Sequence, residues 1–310
     1  MSYRLLSYQV GRDARAGVLV GETVYDAARL TGVPAYATVL GALRDWSRAN
    51  RQFAQAAKRV AAGKSRAKGL PLKRVKLLAP VPEPGDVFCA GANYTDHVAE
   101  MDRAMGKPPG PTMKDLGEKP WHFIKTSSSV VGPGVPVKLP PYSQKMDWEI
   151  ELTAVIGRPA KNVPVEKALQ HVAGYTIAND LSARDVMRRD KNPATSPFHF
   201  DWVSQKCFDG ACPLGPWIVP ASEIPDPQNL ALKLWVNGEL MQDSHTSKMI
   251  FNTAEQIAML SSRVTLQPGD LIVTGTPSGV GMGRGRFLKA GETVRLWIEK
   301  IGEMSHTMVE

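Results

Sequence analysis

From about residue 80 onward the chain is a series of short apolar runs broken by Gly- and Pro-centred turns: "DVFCAGANY", "EIELTAVIG", "HVAGYTIANDLS", "GPWIVP", "LALKLWVNGE", "DLIVTGT" and "TVRLWIEKIGEM". Runs this short, rich in β-branched and aromatic residues, read as strands, and only "VEKALQ" and "TAEQIAMLSSR" stand out as helices. The pattern is strand-dominated with inserted helices (α+β), not the regular alternation that builds a doubly wound sheet. Residues 1–76 read differently. "YRLLSYQVGRDARAGVLVGETVYDAA" gives short strands around Gly turns, followed by a helical stretch through "YATVLGALRDWSRANRQFAQAAKRVAAG". The basic, Gly- and Pro-containing segment that follows punctuates the chain, dividing a small N-terminal α/β domain (1–76) from a larger domain (77–310).

One run carries chemistry in its alternation. In "MDWEIELTAVIG" (146–157) Asp147, Glu149 and Glu151 take every second position, with Trp148, Ile150 and Leu152 between them. A strand turns alternate side chains to opposite faces, so the three carboxylates share one face. Either that face is wet, as on any half-buried strand, or a cation lies among charges that would otherwise repel one another. Asp180 ends the strand-like "GYTIAND" and could bring a further carboxylate beside Glu149 and Glu151. An all-oxygen set of this kind suits Mg²⁺, Mn²⁺ or Ca²⁺, and the lack of His and Cys argues against zinc. The plainer reading of Asp180 is a turn or capping aspartate before "LSARDVM".

The remaining features narrow the class. With 43% hydrophobic and 22% charged residues in 310, the chain reads as an ordinary globular protein. Its three cysteines, Cys89, Cys207 and Cys212, form no CxxC pair, which suggests neither a disulfide framework nor a zinc site and fits a reducing cytoplasm. The N-terminus has no signal-peptide core and no apolar run approaches a membrane span. The net charge of +8 is concentrated in "KRVAAGKSRAKGLPLKRVK" (58–76). That run lacks aromatic residues for base stacking, so a solvated basic face is preferred over nucleic-acid binding, and the charge suits an anionic small substrate.

His97 and Glu100, in "NYTDHVAEM", fall on one face of a helical turn, where a carboxylate can orient an imidazole as a general base; surface helices show the same spacing without catalysis. The long Pro-, Gly- and Lys-rich stretch that follows, through "KDLGEKPWHFIKTSSSVVGPG", has the character of a lid. "GTPSGVGMGRGR" (275–286) fits neither the Walker nor the GxGxxG pattern and reads as a tight loop near a ligand, with Thr276 as its hydroxyl.

Together "GANYTDHVAEM", "FIKTSSSVVGPG", "DWEIELTAVIG", "GYTIANDLSARD", "KCFDGACPLGPW", "VNGELMQDSHTSKMIFN" and "LQPGDLIVTGTPSGVG", in that order, resemble the fumarylacetoacetate hydrolase (FAH) family, and residues 1 to about 75 resemble the small N-terminal domain of its longer members. The resemblance implies a mixed β-roll catalytic domain, usually homodimeric, with a divalent cation on Glu149, Glu151 and Asp180. It implies His97 and Glu100 as the water-activating dyad, Lys206 as the lysine near the metal, Arg184 as the arginine for a substrate carboxylate and Thr276 as a substrate hydroxyl. Met187 stands where many members have a substrate-binding glutamine. The activity implied is hydrolysis of a C–C bond in a 2,4-dioxo acid (acylpyruvate- or fumarylpyruvate-like) in the catabolism of aromatic or related compounds. Isomerisation of a hydroxymuconate-like acid or decarboxylation of an oxaloacetate-like one are the alternatives.

Overall fold

The structure is a computed structural model that describes every residue except Met1 and Pro109. The part of the lid stretch that includes Pro109 therefore lies partly outside the described residues.

An eleven-stranded mixed sheet runs in the order Leu70–Pro71, Thr23–Asp26, Asp13–Val20, Arg4–Val10, Cys212–Pro220, Val172–Asn179, Ile150–Ile156, Leu271–Val273, Val87–Ala90, His122–Lys125, with Val130–Val131 pairing beside Cys212–Pro220. A five-stranded sheet, Glu239–His245, Ala231–Val236, Thr293–Ile298, Gly302–Val309 and Val137–Lys138, packs against it. Met146–Asp147 and Ser182–Ala183 form a small ribbon of their own. The strand-dominated reading therefore holds, and each apolar run quoted above contributes a strand.

The N-terminal segment joins the large sheet edge-on, through the pairing of Leu5 with Ile218. Its long helix, Trp46–Ala61, buries Trp46, Ala49, Phe53, Ala56 and Ala57, an i, i+3, i+4 stripe. These side chains share one buried cluster with Val155, Ala178, Leu214, Ile218, Leu271 and Val273 of the central strands. The opposite face of those strands packs Ile150, Leu152, Ala154 and Ile156 against Leu232, Leu234, Leu296 and Ile298 of the second sheet. The central strands are thus covered on both sides, and every residue of Ile150–Ile156 and of Val172–Asn179 is buried. That cover decides the question raised by "MDWEIELTAVIG": the carboxylate face is not wet.

The helix Thr253–Arg263 begins on a capping box in which Asn252 and Glu255 satisfy each other's backbone N–H groups. The run "VEKALQ" is shorter than its pattern suggests, one α-turn over Val165–Ala168 continued as a 3₁₀ turn. No helix among the described residues is long and apolar enough to cross a membrane.

Candidate active site

Asp147, Glu149, Glu151 and Asp180 are all buried, at 0%, 5%, 1% and 1% exposure. The strand breaks at Trp148–Glu149, where Asn179 Oδ1 accepts the Glu149 N–H and Gln242 Oε1 accepts that of Ile150. The break separates two kinds of carboxylate. Asp147 accepts from the backbone N–H groups of Trp148, Gly281 and Met282 and from Arg184 Nε, so its oxygens are committed to the protein. Glu149, Glu151 and Asp180 instead converge, each offering an oxygen within 4.8 Å of the others.

Lysines enter the same cluster. Lys206 Nζ donates to Glu149 Oε2 at 2.8 Å and to Asp180 Oδ2 at 2.6 Å. Burial alone would push this ammonium toward neutrality, but Asp180 and Glu149 outweigh it and keep the proton on. Burial likewise pushes Glu149 up, yet Lys206 and Arg184 hold it down at about 2. Glu151 goes the other way, well above the ordinary carboxylate range, driven by burial and then by the charges of Asp180 and Glu149. Its Oε2 takes the Gly275 N–H, and no lysine reaches it among the described residues.

These residues fit a hard divalent cation. The donor set is three carboxylates, and Asp180 Oδ1 is buried with the Lys125 ammonium 2.8 Å away but no hydrogen bond directed at it. A cation between the three would remove the repulsion that raises Glu151. The plain reading of Asp180 as a cap is overturned, because it faces two lysines and is followed by a strand, Ser182–Ala183, rather than a helix.

The helix Thr95–Ala104 brings His97 and Glu100 together, with Nδ1 and Oε2 3.6 Å apart, beyond hydrogen-bond distance. Both Glu100 oxygens accept from Gly279 N at 2.9 and 3.0 Å, which ties the dyad to the Gly-rich loop. The same loop gives Gly281 N and Met282 N to Asp147, so the dyad and the acidic strand are joined through one piece of backbone. There is space for this only because positions 281 and 283 lack a Cβ; one at Gly283 would lie 2.6 Å from Glu100 Cδ.

Two of the expected substrate contacts already have protein partners. Arg184 pairs with Asp147 and Glu149 and braces the acidic strand. Thr276 donates to Ile150 O and accepts from Gln242 Nε2, both at 2.9 Å, so its hydroxyl builds the loop. Met187 is half-buried, and its carbonyl takes the Asp201 N–H at the base of the 187–201 loop. Lys125 was not anticipated at all, although "HFIK" alternates in a way that puts Phe123 and Lys125 inward together. A cavity of about 860 Å³ lies elsewhere, lined by Ser143, Met146, Arg286, Phe287 and Leu288 and by none of the three converging carboxylates.

Residues 86–309 match the fumarylacetoacetate (FAA) hydrolase C-terminal family. The chain belongs to this family. The mitochondrial oxaloacetate tautomerase fahd2 of Xenopus laevis is 43% identical over 237 residues, 76% of this chain and 69% of that protein. The fumarylacetoacetate hydrolase of Exiguobacterium antarcticum superposes with a TM-score of 0.77 at 30% identity, covering 99% of both chains. The maleylpyruvate hydrolase of Sphingobium sp. SYK-6, solved with manganese(II) and pyruvate, superposes at 0.74 and 30% identity, covering 99% of this chain and 98% of that one. As a family member, the protein is an enzyme of a class whose members act as hydrolases, isomerases and oxaloacetate tautomerases.

Proposed function

We propose that the protein is a divalent-metal-dependent enzyme of short 2-oxo acids whose reaction is proton transfer at the carbon beside the keto group, interconverting the enol and keto forms of an oxaloacetate-type acid. One observation carries the reading: three buried carboxylates converge, two of them on a lysine that stays charged, within a frame tied to a histidine–carboxylate pair. The tautomerase activity named for the 43% identical relative supports it.

A divalent ion held by Glu149, Glu151 and Asp180 would supply Lewis-acid polarisation of a carbonyl, which makes the neighbouring C–H more acidic. Lys206 keeps its proton and so serves as a donor toward an oxygen that gains negative charge, not as a base. Two of its N–H groups hold Glu149 and Asp180, and its third meets no protein acceptor among the described residues. His97 is the group for moving the proton: its Nδ1 is buried without a hydrogen bond, and Glu100 is placed to orient the ring. The proton leaves the enol oxygen as one returns to carbon, or the reverse, so nothing is gained or lost overall.

A second reading, hydrolysis of a 2,4-dioxo acid, is favoured by the His97–Glu100 pair, because an imidazole oriented by a carboxylate can equally deprotonate water. Chelated protein resupplied with Mn²⁺, given enol-oxaloacetate and acetylpyruvate separately, distinguishes the two. Keto-oxaloacetate without pyruvate supports tautomerisation, and acetate plus pyruvate from acetylpyruvate supports hydrolysis. Full turnover after chelation, or in His97→Ala, would contradict both.

A further inference from the structure

The helix that carries His97 is fastened through its first turn by two segments from far along the chain. Asp96 Oδ2 accepts from Ser244 Oγ at 2.6 Å and from Lys248 Nζ at 3.1 Å, and Asp96 Oδ1 accepts the Ser278 N–H at 3.3 Å. Just before the helix, the buried Asn93 side chain accepts the Phe251 N–H and donates to the carbonyls of Phe251 and Thr274. Toward the other end the cover is gone, and Arg103 and Ala104 are exposed.

Asp96 and Glu100 stand one helical turn apart and take the N–H groups of adjacent loop residues, Ser278 and Gly279. Two carboxylates on one helix face thus grip two successive residues of the Gly-rich loop, which stops the helix from turning about its own axis. A single tie at Glu100 would leave that rotation free. The frame that holds Asp96 is itself closely packed: a Cβ at Gly279 would lie 2.1 Å from Met241 O, on the strand Glu239–His245 that also carries Ser244. His97 follows Asp96, about 100° further round the helix, so a turn that loosens Asp96 carries the imidazole sideways. The donors to Asp96 are unequal. Ser244 is buried and its bond is short, whereas Lys248 is exposed, and an ion pair open to water contributes little. Burial pushes the Asp96 carboxyl up, but Ser244 and Lys248 outweigh it and hold the group below the ordinary carboxylate range.

We infer that Asp96 is a positioning residue for His97: by bridging Ser244 of the second sheet and Ser278 of the Gly-rich loop, it fixes where the helix holds the imidazole relative to the loop that anchors the acidic strand. The inference rests on the reading of His97 as the proton-moving group and adds the residue that acts through it.

The test is steady-state turnover of enol-oxaloacetate and acetylpyruvate by the Mn²⁺-loaded protein and its variants, with the Mn²⁺ dissociation constant of each measured by calorimetry. Asp96→Ala should lower kcat about 100-fold, the effect of displacing a reacting group by about 1 Å, while KM and Mn²⁺ affinity stay within about twofold. Asp96→Asn, which still accepts from Ser278, should recover most of that loss, and Lys248→Met should cost less than about threefold. In a His97→Ala background Asp96→Ala should slow turnover no further, because residues that act as one unit are not additive. If Asp96→Ala does not fold, Ser244→Ala carries the test: it removes the shortest of the three bonds and should lower kcat about tenfold with Mn²⁺ affinity kept. Full kcat in Asp96→Ala or in Ser244→Ala, with His97→Ala inactive, overturns the inference and leaves the reading of His97 standing. Mn²⁺ affinity falling in step with kcat also overturns it, because Asp96 would then support the whole site. Full turnover in His97→Ala removes the group to be positioned, and the inference fails with that reading.

Discussion

Lys125 Nζ lies 2.8 Å from Asp180 Oδ1, yet its three hydrogen bonds go to the carbonyls of Leu181, Lys206 and Ala211. The lysine is wholly buried and gives Asp180 charge without a directed proton. It fastens three segments, the turn after Asp180, the end of the helix bearing Lys206 and the loop before Cys212.

Asp180 keeps Lys206 when Lys125 is lost, but the three carbonyls are orphaned, and leaving buried groups unsatisfied costs about 1–3 kcal/mol each. Lys125→Met should therefore lower unfolding stability by at least one such cost, measured by denaturant titration of the metal-free protein. A loss below about 1 kcal/mol would mean that the three carbonyls and Asp180 do not depend on it.

Glu151 links stability to the cation. Its carboxyl is raised above the ordinary 4.5, so in chelated protein the unfolded chain gives up its proton first and stability falls as pH rises from there. Glu151→Gln should make the chelated protein more stable than the unaltered one at pH 7. It should also abolish the gain on adding Mn²⁺, which for the unaltered protein is about 2.7 kcal/mol at a hundredfold excess over Kd. Thermal melts with EDTA and with Mn²⁺ read both effects.

Two histidines set the acid limit. Burial brings His306 down from 6.5 to about 3 and His122 down to about 4, so both stay neutral in the fold. Below about pH 6.5 the unfolded chain binds protons that the folded one refuses, and stability drops as pH falls toward those values. Each should cost about 2 kcal/mol between pH 7 and pH 5. His306→Gln keeps an acceptor for Asn179 Nδ2, which donates to His306 Nε2 at 2.8 Å, and should flatten that part of the profile in denaturant titrations at the two pH values.

The Gly-rich loop has no room to spare. A Cβ at Gly281 would lie 2.2 Å from Arg286 O and 2.7 Å from Asp147 Oδ1. Gly281→Ala should cost about 1–3 kcal/mol through overpacking and lower turnover by displacing Asp147, the anchor of Arg184. Gly285→Ala meets nothing within 4 Å but sits at a φ of +65°, so it should cost only backbone strain and leave turnover nearly intact, which makes it the control.

The alternation in "MDWEIEL", the run "GYTIAND" and the His97–Glu100 spacing named the converging carboxylates and the dyad from sequence alone, because strand and helix periods decide which side chains share a face. Periodicity also marked the strand-dominated architecture and the helical stretch that contains Trp46–Ala61. It could not say whether the acidic face was wet, since that depends on the N-terminal helices and second sheet arriving from far along the chain to cover both sides of the central strands. Nor could it separate Asp147 from Glu149: only the close approach of the loop at 279–282, which supplies backbone donors to one and not the other, makes the first a brace and leaves the second among the converging carboxylates. Lys125 and the roles of Arg184 and Thr276 were likewise decided by tertiary structure, because a buried polar group takes whichever partner packing brings within 3 Å, and sequence distance places no limit on that partner.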